Sequence, residues 1–325
     1  MDIEQYIMHL ISSPAGNSCV KAGSVLQVSH DQVNRLLTNH QFHGKDLFDQ
    51  ASRHLKLCGG VLSVDDSVLD KPYSSLEANE LVGRFWSGKH HKVVKGVNLV
   101  ALVYTDTAGY SLPVHFALYN PEEGLTKHDL FQKMVRQVIG WGLRPQWLTA
   151  DSWYASANNL KFLRSMELGF IVGLKSDRTV SLQKGEHQAV GQIDAIPTDG
   201  VRVHLRKFGF IKLFRTVDER GKTRHYAVYT AEPKDLQRLE RQRFKQIKKI
   251  HWNIELLFRA LKQVCNLERF FVRKAQAVTN HVYGALRAFQ RLYAWCSDQL
   301  FPSIYAVRNC IYLSAQREFI KQMTA

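Results

Sequence analysis

Gly59-Gly60-Val61-Leu62-Ser63-Val64-Asp65-Asp66-Ser67 reads as a chain break, a short apolar strand and a pair of acids delivered where that strand ends. A second junction of this kind lies downstream, where a strand over residues 146–150 delivers Asp151. Between the two, the pattern predicts strands over 93–104 and 112–119, with Thr107-Ala108-Gly109 as a turn, and a helix over 125–141. A helix over 158–166 and a strand over 169–174 follow. The order β-β-β-α-β-α-β puts acids at the ends of the first and fourth strands. Strand ends are where mixed α/β sheets usually bind ligands. The fold class is α/β.

A third acid sits in a helical context, Ile250-His251-Trp252-Asn253-Ile254-Glu255-Leu256-Leu257-Phe258-Arg259-Ala260-Leu261-Lys262. Glu255 and Lys262 are two turns apart and share a face, with His251 and Arg259 four residues to either side of Glu255. Ile254, Leu257, Phe258 and Leu261 form the inward stripe. A carboxylate among cations suits a metal-binding acid beside groups that grip phosphates. Taken singly, each acid also has a structural reading: Asp65 or Asp66 as a turn cap, Asp151 as a helix cap, Glu255 with Arg259 as an ion pair.

Composition points to a polyanionic partner. The chain has 44 Lys plus Arg against 29 Asp plus Glu, a formal +15. Between Arg202 and Lys249 there are 15 Lys plus Arg and five acids, so most of the excess lies there. Phe208, Phe210, Phe214 and Tyr226 are interleaved with it, as stacking groups on nucleic acid or as the core of a β-domain. Five scattered cysteines without a C-x-x-C pair suggest neither a zinc site nor a disulfide framework. The N-terminus is not patterned as a signal peptide, and no apolar run is long enough to span a membrane.

Residues 1–57 read as helical. Within them Ser29 can cap a helix whose Val33 and Leu36 pack inward with Val28, while His30, Gln32, Asn34 and Arg35 point outward. That is the pattern of a helix-turn-helix, and equally of a small helical bundle. Residues 177 to about 230 alternate like an inserted β-rich subdomain. From Pro233 the chain reads as helical, with Val282, Leu286, Phe289, Leu292 and Tyr293 as a dimer surface or as plain core. Gly83-Arg84-Phe85-Trp86-Ser87-Gly88-Lys89-His90-His91-Lys92 reads as a cationic hairpin or loop near the site; its His pair makes a poor zinc site.

These pieces resemble a DDE transposase of prokaryotic insertion sequences, over roughly residues 60–270. The closest type has a β-rich insertion before the final Glu and a Y-R-E-K signature helix. The matching contexts are Val64-Asp65-Asp66-Ser67, Leu148-Thr149-Ala150-Asp151-Ser152-Trp153-Tyr154 and Trp252-Asn253-Ile254-Glu255, with Lys262 at the family Lys. Two positions depart: the family Arg is His251 and the family Tyr is Lys248. The resemblance implies a ribonuclease H-like mixed sheet (58–176), a β-rich insertion (177–232), a catalytic helix (233–270), a helical N-terminal DNA-binding segment (1–57) and a helical C-terminal tail (271–325).

It further implies Asp66, Asp151 and Glu255 as catalytic metal ligands, with Asp66 chosen over Asp65 because it precedes Ser. Lys248, His251, Arg259 and Lys262 would be phosphate-binding groups. Two Mg²⁺ ions would be the cofactors, with Mn²⁺ as a substitute. Double-stranded DNA at the terminal repeats and target would be the partner, bound by a homodimer. The activity would be strand cleavage and strand transfer in the bacterial cytoplasm, at the nucleoid when on DNA. The competing readings are a ribonuclease H-like nuclease that cuts without joining and a transposase-derived DNA-binding regulator.

Overall fold

The structure is a computed structural model that describes residues 1–14, 18–77 and 79–324. Residues 15–17, inside the expected helical N-terminal segment, lie outside the described residues, as do 78 and 325.

Four helices open the chain: α1 (Ile3–Ser12), α2 (Cys19–Leu26), α3 (His30–Asn39) and α4 (Gly44–Ser52). Asp2 caps α1 and Ser29 caps α3, each in a reciprocal box with a Gln at the third helical position. The tight α2–α3 turn depends on Gly23, where a Cβ would stand 2.7 Å from the Val28 carbonyl oxygen.

The sheet begins with β1 (Val61–Asp70), β2 (Val82–Ser87), β3 (Lys92–Thr105) and β4 (Ser111–Tyr119). Then come α5 (Lys127–Gly140), β5 (Trp147–Ala150), α6 (Ala157–Ser165) and β6 (Gly169–Leu174). β1, β5 and β6 run parallel side by side, and β3 pairs antiparallel with β1. β4 and β2 follow one another along the far edge of β3. The expected α/β order is present, with β2 as an additional edge strand.

The β-rich segment is joined to the core sheet through its last strand. β7 (Thr179–Ser181), β8 (His187–Ala189), β9 (Val201–Leu205), β10 (Gly209–Val217) and β11 (Thr223–Tyr229) continue the same sheet. β11 pairs antiparallel with β6, so the described strands make one eleven-stranded sheet. Phe208 and Phe214 are core, Tyr226 is partly buried, and Phe210 is exposed.

The remainder is helical: α7 (Pro233–Arg238), α8 (Arg241–Ile250), α9 (Trp252–Gln263), α10 (Ala275–Ser297) and α11 (Ile304–Thr324). The expected single helix over 250–262 is broken at His251, which ends α8 and begins α9. The central strands are apolar on both faces, as buried parallel strands must be. One face, with Val61, Trp147, Ile171, Phe214 and Val228, is covered by α7 and α8 through Leu236, Leu239, Phe244 and Ile247. The other, with Leu62, Val64, Leu148, Ala150, Phe170 and Val172, belongs to a larger core. That core also takes in α1, α3, α4, α5, α6 and α10, so the N-terminal helices pack into it. Val282, Leu286, Phe289 and Leu292 of α10 are buried in it, which makes that stripe core.

Candidate active site

The register of the parallel strands builds the site. Val64 of β1 is level with Ala150, the last residue of β5. The residues after each, Asp65 and Asp151, therefore emerge side by side where β5 ends. β1 itself continues to Asp70, so its acids are mid-strand and not at a strand end as expected. Side chains alternate along a strand, so Asp65 and Asp66 face opposite ways. Asp65 shares its face with Val61 and Ser63, the side that α7 and α8 cover. Asp66 faces the side of α5.

On the first side lies a cleft of about 860 Å³ lined by Asp65, Asp151 and Glu255. Glu255 stands in the first turn of α9, where the helix dipole favours an anion. A hydroxyl ladder runs beneath the acids. Ser63 Oγ is 2.8 Å from Thr149 Oγ1, which is 3.2 Å from His251 Nδ1. Burial first, then the Asp151, Asp66 and Glu255 carboxylates, pushes the Asp65 carboxyl well above the usual range. Burial also raises Asp151, with Asp66 adding to it, against backbone hydrogen bonds from Trp153 and Tyr154. The Trp153 N–H donates to Asp151 Oδ1 at 2.8 Å as a cap of the 3₁₀ turn Ser152–Tyr154.

Five cations, Lys222, Arg224, Lys245, Lys248 and Lys249, line the same cleft together with Asp218. Lys248 Nζ lies 5.0 Å from the centre of the Tyr226 ring. Burial, then Lys248, lowers His251 to about 4, so it is neutral at pH 7.

Of the seven residues singled out in the sequence, Asp151, Glu255, Lys248 and His251 line the cleft, and Asp66, Arg259 and Lys262 do not. Lys262 donates to the Val68 carbonyl oxygen at 3.1 Å and pairs with Glu268 at 2.8 Å, which ties α9 to β1. Arg259 is exposed. The 83–92 hairpin is formed by β2 and β3; Lys89 and His90 turn to Asp70 and not to the cleft. Sequence reading weighed Asp65 beside Asp66 and placed Lys222, Arg224, Lys245 and Lys249 in the basic 202–249 stretch without singling them out; all five line the cleft. The parity of Ser63 with Asp65, and of Thr149 with Asp151, is the signal that could have found Asp65.

The donors suit a hard divalent cation: carboxylate oxygens from three elements, with carboxylates foremost among the charged groups acting on Asp65. Among the described residues no three His, Cys, Asp or Glu side chains stand close enough to form a finished metal site. The acids share a cleft without sharing a coordination sphere.

The large mixed sheet with its flanking helices is of ribonuclease H-like architecture. The family model of the transposase DDE domain matches residues 56–290, and the chain belongs to that family. It is a DDE transposase, an enzyme of nuclease or polynucleotidyl-transferase type, and DNA is its partner. No curated protein matches the chain. Among the described residues no helix is long and apolar enough to cross a membrane.

Proposed function

We propose that this chain cleaves DNA at the terminal repeats of an insertion sequence and joins the freed 3′ ends to target DNA. The observation that carries the reading is the single cleft with an acidic floor (Asp65, Asp151, Glu255) and a lysine-rich wall. Asp65 takes the place anticipated for Asp66, because it faces Glu255 and Asp66 does not. The three carboxylates would hold Mg²⁺ or Mn²⁺, two ions in the family pattern, once drawn together around them. When bound, these ions supply a water of lowered pKa and stabilise the leaving oxygen.

The chain's own residues do the rest. Lys248, with Lys245 and Lys249, neutralises strand phosphates beside the acids. His251, neutral and hydrogen-bonded toward Thr149, holds the junction of α8 and α9 and so fixes where Glu255 stands. The exposed residues of α3 (His30, Gln32, Asn34, Arg35) read the terminal repeat, and a homodimer brings two ends together.

The test is a cleavage and joining assay on DNA carrying the flanking terminal repeats, with Mg²⁺ or EDTA, comparing wild type with Glu255→Gln. Metal-dependent cleavage and strand-transfer products, both lost in the variant, are expected. Specific binding without cleavage by the wild type would overturn the reading in favour of a regulator. Cleavage without joining would reduce it to a nuclease.

A further inference from the structure

Asp66 accepts from three side chains, and these partners lie on the far side of the sheet. Asn98 Nδ2 and Lys127 Nζ donate to its Oδ2 at 2.7 and 3.0 Å, and the Tyr154 hydroxyl donates to its Oδ1 at 3.3 Å. The side chains of Lys127 and Asp66 are only 21% and 19% exposed. Lys127 also lies 4.5 Å over the Trp153 ring, and His128 stacks on that ring at 4.2 Å. Asn159 Nδ2 reaches both His128 Nδ1 at 2.8 Å and the Tyr154 carbonyl at 3.0 Å.

Trp153 and Tyr154 belong to the turn that begins at Asp151. Asp151 has left β5, which ends at Ala150, so no sheet ladder holds it. What orients it is its bond to the Trp153 N–H and whatever fixes Trp153. Lys127 is the first residue of α5, where the helix dipole disfavours a cation. Asp66 and the indole face together offset that cost, one by accepting from Tyr154 of the turn and the other as Trp153 of the turn itself.

We propose that Lys127 is a positioning residue for DNA cleavage: gripping Asp66 and Trp153, it sets the Asp151 turn from the opposite face of the sheet. The proposal rests on the reading of Asp151 as a metal ligand.

Charge and position pull in opposite directions here, which makes the idea testable. Lys127→Met removes a cation, so electrostatics alone would tighten Mn²⁺ binding to the DNA-free chain, measured by calorimetry. Loss of position weakens Mn²⁺ binding and slows Mg²⁺-dependent cleavage, each by about tenfold, as loss of outer-shell support to metal ligands typically does. DNA affinity in EDTA stays unchanged, and Lys127→Arg recovers most of both losses. Tyr154→Phe, which changes no charge and little volume, shifts both quantities the same way by a smaller factor and serves if Lys127→Met does not fold. Unchanged or tighter Mn²⁺ binding by Lys127→Met overturns the proposal. So does a loss of DNA affinity in EDTA that accounts for the slower cleavage. Asp151→Asn is the control: wild-type Mn²⁺ binding and cleavage by that variant would sink the ligand reading itself, a different failure.

Discussion

Asp65 and Asp66 differ by one position and by the face of β1 on which each stands, and the proposed mechanism gives them different roles on that ground. Asp65 is buried among carboxylates, and burial first and those carboxylates second push its carboxyl well above the ordinary range, whereas Asp66 meets a lysine, an asparagine amide and a tyrosine hydroxyl. A similar division separates Lys248 from His251. Lys248 lines the cleft as a charged group, and His251 is held neutral by burial. Lys248→Ala should therefore flatten the salt dependence of DNA binding by about one phosphate's worth, roughly 0.7 to 0.9 in the log–log slope. His251→Ala should leave the slope unchanged. Affinities measured across a NaCl series distinguish the two; equal changes in slope would contradict the neutral state of His251.

The element that carries Asp151 depends on a glycine in the next strand. At Gly173 of β6 a Cβ would stand 2.9 Å from the Ser152 backbone nitrogen. Backbone cannot swing aside as a flexible side chain can, so Gly173→Ala should displace the turn and cost about 1–3 kcal/mol of stability. The accompanying fall in cleavage should exceed anything that this lost stability explains at the assay temperature. A melting curve and a single-turnover rate on the same preparation check it. Full activity would show that the turn has room to move.

Element order was largely legible in the sequence, because runs such as 93–104 and 169–174 carry their own periodicity and turn residues. Asp151 and Glu255 stood out for the same reason, since Asp151 follows a strand and Glu255 lies within a periodic helix, and both line the cleft. The face of β1 was not. Val61 to Val64 are buried on both sides, so no apolar–polar alternation announces which acid looks toward α9. Nor does the segment 177–232 disclose that β11 pairs with β6, a contact between residues far apart in the chain. The break at His251 was hidden because the residues on either side of it are all compatible with a continuous helix.

On the scale of the whole molecule, one core binds the N-terminal helices, the sheet and α10, and it encloses titratable groups. His115, His251 and His281 are each lowered by burial to about 4. His281 Nδ1 accepts from the Tyr6 hydroxyl at 2.8 Å while Nε2 donates to the Asn266 and Leu267 carbonyls, which joins α1 to α10 in the neutral state. The unfolded chain protonates these histidines near 6.5, well before the folded chain does. Stability should therefore be undiminished by them above about pH 7 and fall as pH drops toward 4, with each contributing on the order of 3 kcal/mol over that window. Denaturant melts between pH 7.5 and 4.5 measure the fall, and His281→Asn should shallow it. A flat profile would contradict the neutral buried histidines.

The central claim is that the cleft on the α9 side of the sheet, and not the Lys127 side, performs the chemistry. Its most direct test is Mg²⁺-dependent cleavage of terminal-repeat DNA by Asp65→Asn and Asp66→Asn side by side, with both proteins first shown to be folded and to bind DNA in EDTA. Cleavage by Asp65→Asn should drop to background, while Asp66→Asn should keep measurable activity, reduced by about 10- to 100-fold as for the loss of an outer-shell partner. Wild-type cleavage by Asp65→Asn beside an inactive Asp66→Asn would contradict the account.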